Sequence, residues 1–191
     1  VFPDSLTSIG DNAFGYNFLT SLHLPNGLTS IGARAFQHNQ LTSLVIPDSV
    51  TSMGQEAFKD NLLTGVELPR SLTAISDFAF RGNQLAGIDI PDSVQSIGGY
   101  AFGYNQLASV VIPDNVRNID NYAFRYNNLS SVTLLGKSTV ISSNAFNNNP
   151  AGLTIFGYAG STAQSLAVGK GFAFVDGTAL FEAMHTAEQL L

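Results

Sequence analysis

Apolar residues return along this chain at one fixed spacing. Phe14, Phe36, Phe58, Phe80, Phe102, Phe124 and Phe146 lie 22 residues apart. Alanine precedes each, from Ala13 and Ala35 to Ala145, and asparagine follows three positions later, from Asn17 and Asn39 to Asn149. Ile9, Ile31, Met53, Ile75, Ile97, Ile119 and Ile141 form another column, and Pro3, Pro25, Pro47, Pro69, Pro91 and Pro113 a further one. Chance does not set five columns on one period, and a repeat of this length is the unit of a solenoid.

Within the unit from Leu19 to Gln40, Leu22 and Leu24 alternate with a polar residue, the pattern of a half-buried strand. Pro25-Asn26-Gly27 turns the chain, because proline presets φ and Asn-Gly tolerates positive φ. Leu28 and Ile31 open a second, shorter apolar stretch. No unit holds an uninterrupted helical period, so each coil is expected to be mostly extended. Coils stacked at the strand spacing of about 4.8 Å place equivalent residues in ladders. One coil cannot bury its own apolar side, so stability must come from contacts between neighbours. The asparagine between Phe36 and Leu41 is expected to be buried. A buried amide needs partners, and backbone groups of its own coil and the next would supply them.

The pattern Leu-x-x-Leu-x-Leu-Pro-x-x-Leu-x-x-Ile-Gly-x-x-Ala-Phe-x-x-Asn is clearest in Val45-Ile46-Pro47-Asp48-Ser49-Val50 with Ala57-Phe58, and in Ile90-Pro91-Asp92-Ser93-Val94 with Ile97-Gly98 and Ala101-Phe102. It resembles the leucine-rich repeat superfamily, specifically the BspA-like subtype of bacterial surface proteins. Thr154-Ile155-Phe156-Gly157-Tyr158-Ala159-Gly160-Ser161 also resembles the endings of such arrays. Many members carry cysteine where this chain has its asparagine ladder. The resemblance and the period imply a β-rich leucine-rich repeat solenoid, a right-handed superhelix or horseshoe. It would have about seven coils, two short extended segments per coil and a small helical C-terminal cap. The array would span residues 1–157 and the cap 158–191. The resemblance also implies an extracellular array on a bacterial surface, used in adhesion or ligand recognition, without catalysis.

Both ends depart from the period. Val1-Phe2-Pro3-Asp4-Ser5-Leu6 matches the interior of a repeat, so the chain is expected to be a fragment of a protein with further repeats or domains. Gly136-Lys137-Ser138 replaces the proline turn, and Leu153 falls one residue short of the period. Ser161-Thr162 is expected to cap a helix over Ala163 to Val168, stopped by Gly169 or Gly171. Phe172-Ala173-Phe174-Val175 reads as a strand. Thr178 reads as the N-cap of a helix from Ala179 to about Leu190, with Leu180, Phe181, Met184, Ala187 and Leu191 on its apolar face. That helix either packs on the array end or begins a linker or another domain.

Composition narrows the function. The net charge is −6, which argues against a phosphate-neutralising nucleic-acid binder and against electrostatic binding to anionic lipid. Cysteine is absent, which excludes disulfides and thiol chemistry. No apolar run is long enough to span a membrane. Charged residues are 12% and hydrophobic ones 45%, too apolar for a disordered chain.

Columns that vary within the chain indicate exposure. Two positions before the phenylalanine they read Asn12, Arg34, Glu56, Phe78, Tyr100, Tyr122 and Asn144; two positions after it, Tyr16, His38, Asp60, Gly82, Tyr104, Tyr126 and Asn148. Slots that accept Arg34 and Glu56 are expected to face solvent. Phe78, Tyr100, Tyr104, Tyr122 and Tyr126 then form an exposed aromatic cluster on adjacent coils, a surface suited to protein hot spots or to stacking on sugar rings. Alternatively the tyrosines pack on each other and stiffen the ladder. A second candidate surface is the outward slot of the first strand: His23, Val45, Glu67, Asp89, Val111 and Thr133. Glu67 and Asp89 would be neighbouring like charges there, too few carboxylates for calcium.

His23, His38 and His185 fall in different places, and no nucleophile elbow, His-Glu-x-x-His or phosphate loop occurs. No catalytic residue, metal or cofactor is therefore expected. The leading expectation is a binding module for a protein or polysaccharide. A spacer displaying other domains, or the targeting module of a secreted enzyme, are the alternatives.

Overall fold

The computed structural model describes residues 2–188, with side chains as far as Ala183. The chain winds as a parallel β-solenoid of about eight turns. In chain order its strands are β1 (Ser8–Ile9), β2 (Ser30–Ile31), β3 (Ser43–Val45), β4 (Ser52–Met53), β5 (Gly65–Glu67), β6 (Ala74–Ile75), β7 (Ser96–Ile97), β8 (Ser109–Ile112), β9 (Asn118–Ile119), β10 (Ser131–Leu134), β11 (Val140–Ile141), β12 (Thr154–Gly157) and β13 (Ala173–Asp176). Helices α1 (Thr162–Lys170) and α2 (Thr178–Glu188) flank β13. One row of short strands runs β1-β2-β4 and then β6-β7-β9-β11; the other runs β3-β5 and then β8-β10-β12-β13.

The register repeats at the sequence period, Ile9 on Ile31 and Ile75 on Ile97. It departs from that period twice. Val132 pairs with Ile155, so the coil that ends in β12 is one residue longer than the period, not shorter as Leu153 suggests, and Ile155 pairs with Phe174, so the coil holding α1 is shorter. The second row is also less continuous than the sequence pattern implies. Leu22–Leu24 and Ile88–Ile90 are not strands. Gly87 and Asp89 are poor strand formers, which accounts for the second gap.

The phenylalanine ladder is the spine of the core. From Phe14 to Phe146 successive rings stack with centroids 5.3–5.7 Å apart. From Phe36 to Phe146 these rings are buried, as are the alanines beside them. From Asn39 to Asn127 the asparagine ladder is buried too, and it reaches backward along the array. Asn83 Nδ2 donates to the carbonyls of Phe58 (3.0 Å) and Phe80 (3.1 Å), while its Oδ1 accepts from the Leu63 N–H (3.0 Å). The second coil engaged is therefore the preceding one, not the next. Each amide satisfies backbone groups that the coil's corner removes from strand pairing.

At the C-terminal end, Ser161 caps α1 and accepts from the Gln164 N–H; Gly171 closes the helix at φ 69°. α2 begins differently from expectation. Gly177, not Thr178, holds the capping position: the Phe181 N–H donates to its carbonyl at 2.9 Å. The Asp176 carboxylate accepts the Thr178 N–H at 2.9 Å, the favourable place for a negative charge at a helix start. α2 docks through Phe181, which meets Tyr158 edge-on at 5.2 Å, whereas Leu180 is 63% exposed. Leu190 and Leu191 lie outside the described residues, as do the side chains of Met184, His185 and Ala187.

Candidate binding surface

Each coil turns a corner around its buried phenylalanine, and the corner fixes the candidate side chains. Among the described residues, all twelve non-glycine residues with positive φ occupy the two columns that flank the phenylalanine at two positions before and after. Phe78, Tyr100, Tyr104, Tyr122 and Tyr126 all adopt φ between 55° and 63°. Left-handed backbone costs an L-residue about 1–2 kcal/mol. The ladder imposes it. The N–H groups of Tyr100, Phe102 and Tyr104 donate to the carbonyls of Asn121, Ala123 and Arg125 on the following coil, at 3.2, 2.8 and 2.8 Å.

The corner brings the five predicted aromatic residues onto one face. Phe78 stacks on Tyr100 at 5.2 Å and Tyr100 on Tyr122 at 4.9 Å; Tyr104 stands 4.7 Å from Tyr126. Tyr104 and Tyr126 are exposed, at 40% each. Phe78, Tyr100 and Tyr122, expected to be exposed, are half-buried. Their slot does face outward, but stacking along the axis covers the ring faces.

Two arginines complete the face. Arg81 lies 4.5 Å over the Tyr104 ring. Arg125 lies 4.7 Å over both Tyr122 and Tyr126. Its Nη1 donates to the Tyr100 hydroxyl (3.2 Å), its Nη2 to the Tyr126 hydroxyl (3.4 Å) and its Nε to Asn148 Oδ1 (2.9 Å). The Tyr100 hydrogen bond, followed by opposing desolvation and then by the Tyr126 hydroxyl, raises its pKa above the ordinary arginine value. Gly103 leaves the room these rings need, since a Cβ there would stand 3.1 Å from the Tyr100 ring edge. Neither arginine was singled out by the sequence pattern. The signal was the column directly after the phenylalanine, where Lys59, Arg81 and Arg125 run between the two aromatic columns.

Toward the N-terminal end the same face becomes an ion-pair strip. Tyr16 stacks on His38 at 4.5 Å, and His38 Nε2 lies 3.3 Å from Asp60. Asp60 also faces Arg81 at 3.7 Å. Glu56 binds Lys59 at 2.9 Å and Arg34 at 3.0 Å. Lys59 is the main reason that its carboxyl titrates below the ordinary glutamate range.

The second predicted surface is a row on the longer strands. Val45 opposes Glu67 and Val111 opposes Thr133, with Val45 57% and Val111 53% exposed. His23, Glu67 and Asp89 are exposed as well, and Thr133 is half-buried. Through the register slip the row continues to Phe156 and Val175, which the fixed period hid. Asp89 sits in the sheet's interruption, between depressions of about 440 and 390 Å³. Glu67 and Arg70 line the first depression; Asp92 and Val111 line the second. Among the described residues no group of three or more His, Asp or Glu side chains is placed to hold a metal ion. No described helix is long and apolar enough to cross a membrane.

Stacked phenylalanine corners, a buried asparagine ladder and two rows of parallel strands define a leucine-rich repeat array. The family model of the BspA type leucine rich repeat region matches in six copies, over residues 1–64 and 29–153, and the chain belongs to that family. A leucine-rich repeat protein from Bacteroides ovatus is 24% identical with a TM-score of 0.55, covering 82% of this chain and 48% of its own. A leucine rich cell surface protein from Faecalibacterium prausnitzii is 26% identical with a TM-score of 0.47, covering 82% of this chain and 59% of its own. The chain thus spans about half the length of these proteins. A search of curated proteins gave no match.

Proposed function

We propose that this array is a non-catalytic recognition module, displayed at a bacterial surface, that binds a protein or polysaccharide through its Tyr–Arg corner face. One observation carries the reading. Tyr100, Tyr122 and Tyr126 meet Arg125, and Tyr104 meets Tyr126 and Arg81, on one face, at backbone positions that disfavour bulky side chains. Strain of this kind collects at functional sites. Tyrosine and arginine are also the side chains that dominate binding hot spots. The name of the F. prausnitzii relative, a cell surface protein, agrees with display at a surface.

The spacer reading also has an observation in its favour: the rings stack on one another and on the arginines, which stiffens neighbouring coils. A screen against glycan arrays and extracellular-matrix proteins separates the two. It compares the wild-type chain with the variant Tyr100→Ala, Tyr104→Ala, Tyr122→Ala, Tyr126→Ala, both first shown to fold by circular dichroism. Recognition at this face predicts a ligand that the variant loses. A ligand retained by the variant moves the site to the strand row, and silence from both chains favours the spacer.

A further inference from the structure

The corner face contains a group of hydrogen-bond donors with no anion among them. A guanidinium carries five N–H donors. Arg125 spends one from each nitrogen on Asn148, Tyr100 and Tyr126, which leaves one N–H on each terminal nitrogen. The two phenol oxygens accept from the guanidinium, so their own O–H groups remain free to donate. Two N–H and two O–H donors therefore surround one positive charge. The cations toward the N-terminal end of the face already have carboxylates: Arg34 and Lys59 share Glu56, and Arg81 faces Asp60; Lys170, at the other end, is held by the Asn144 and Asn147 amide oxygens at 3.4 Å. Among the described residues Arg125 has no carboxylate.

We propose that Arg125, with the phenol groups of Tyr100 and Tyr126, is a carboxylate-reading centre, and that the partner is a protein segment presenting an aspartate or glutamate side chain. The inference rests on the recognition reading and narrows it to one ligand chemistry. Two observations select a peptide over an acidic polysaccharide. Tyr104 is already engaged by Tyr126 and Arg81, and Tyr122 by Tyr100 and Arg125, so a sugar would compete with existing ring and guanidinium contacts to stack on either. A polyanion also needs a long row of unpaired cations, whereas this face supplies Arg125 and, at its C-terminal end, Lys170 held by two amides, on a chain of net charge −6. A single desolvated carboxylate meeting a pre-ordered guanidinium between aromatic walls is the arrangement of a protein hot spot.

The test pans a random dodecamer peptide library on the whole chain and measures enriched peptides by fluorescence polarisation, with heparin and polygalacturonate in parallel. Enriched peptides should share an acidic residue. Its replacement by the matching amide should weaken binding about tenfold or more, the scale of a charged hydrogen bond. Arg125→Gln should match that loss, Arg125→Lys should fall between, and Arg117→Gln, at an exposed position just before β9 and outside the corner face, should change little. The amide peptides interrogate the wild-type protein, so the test survives a misfolded variant. Peptides without a shared acid, or binding that Arg125→Gln leaves intact, would overturn the inference. If the four-tyrosine variant nonetheless abolishes such binding, the recognition reading stands while the carboxylate centre falls. Binding to heparin or polygalacturonate instead of peptides would make the partner a glycan. Silence from every probe would sink both.

Discussion

A tyrosine on left-handed backbone makes a prediction that reverses the usual order of glycine and alanine. Tyr104→Ala and Tyr104→Gly remove the same ring and differ only in the Cβ. At φ 59° that Cβ is a cost, and Gly82 already occupies the same slot one coil earlier. The glycine variant should be the more stable by about 1 kcal/mol, even after the extra chain entropy of glycine in the unfolded state. Thermal unfolding of the pair measures the difference; equal midpoints would mean the corner relaxes once the ring is gone. This strain was only half legible in the sequence. A column that takes both Arg34 and Tyr100 points outward, and it does. Its left-handed φ, and the burial of Tyr100 and Tyr122, depend on groups one turn away, which no single unit displays.

The corner as an element should also respond to pH. Glu56 bridges Lys59 and Arg34, and its pKa lies below the ordinary value of 4.5 in the folded chain. A depressed carboxylate contributes stability above its unfolded pKa and loses it as pH falls through the folded one. Glu56→Gln should therefore lower the urea midpoint at neutral pH. The gap from wild type should narrow only below about pH 4.5 and close as the folded carboxyl protonates. A gap that stays constant into acid would assign the loss to packing. Element boundaries were read with uneven success, for local reasons. Ser161 and Gly171 have their own capping chemistry: the first was found, and the second was one of two stops, Gly169 or Gly171, that the pattern offered. Gly177 was overlooked because it caps through its backbone and is required by packing, an added Cβ running into the Phe181 ring. The strand expected over Leu22 to Leu24 failed because a parallel strand exists only with a paired neighbour in register.

Across the whole molecule, stability should be a property of interfaces between coils, since no coil holds a core of its own. The period made this legible from sequence, because columns of Phe, Ala and Asn have no use unless coils stack. Position along the axis then matters more than residue type. Phe80 stacks at 5.7 Å on both Phe58 and Phe102 and is fully buried; Phe14 is half-buried, between Phe2 at 5.3 Å and Phe36 at 5.4 Å. Phe80→Ala opens a cavity shared by two interfaces and should cost about 3–5 kcal/mol. Phe14→Ala removes a ring that is already partly solvated and should cost less than half of that. The two should also differ in the form of unfolding. Uncoupling the middle of the array lets the two halves unfold separately, so urea melts of Phe80→Ala should broaden, with a lower apparent slope. Amide exchange should then be faster in coils on both sides of the cavity, while Phe14→Ala should accelerate exchange only in the first coils. Equal costs and equally sharp transitions for both variants would mean that the array unfolds as one unit, without the nearest-neighbour coupling that its ladders imply.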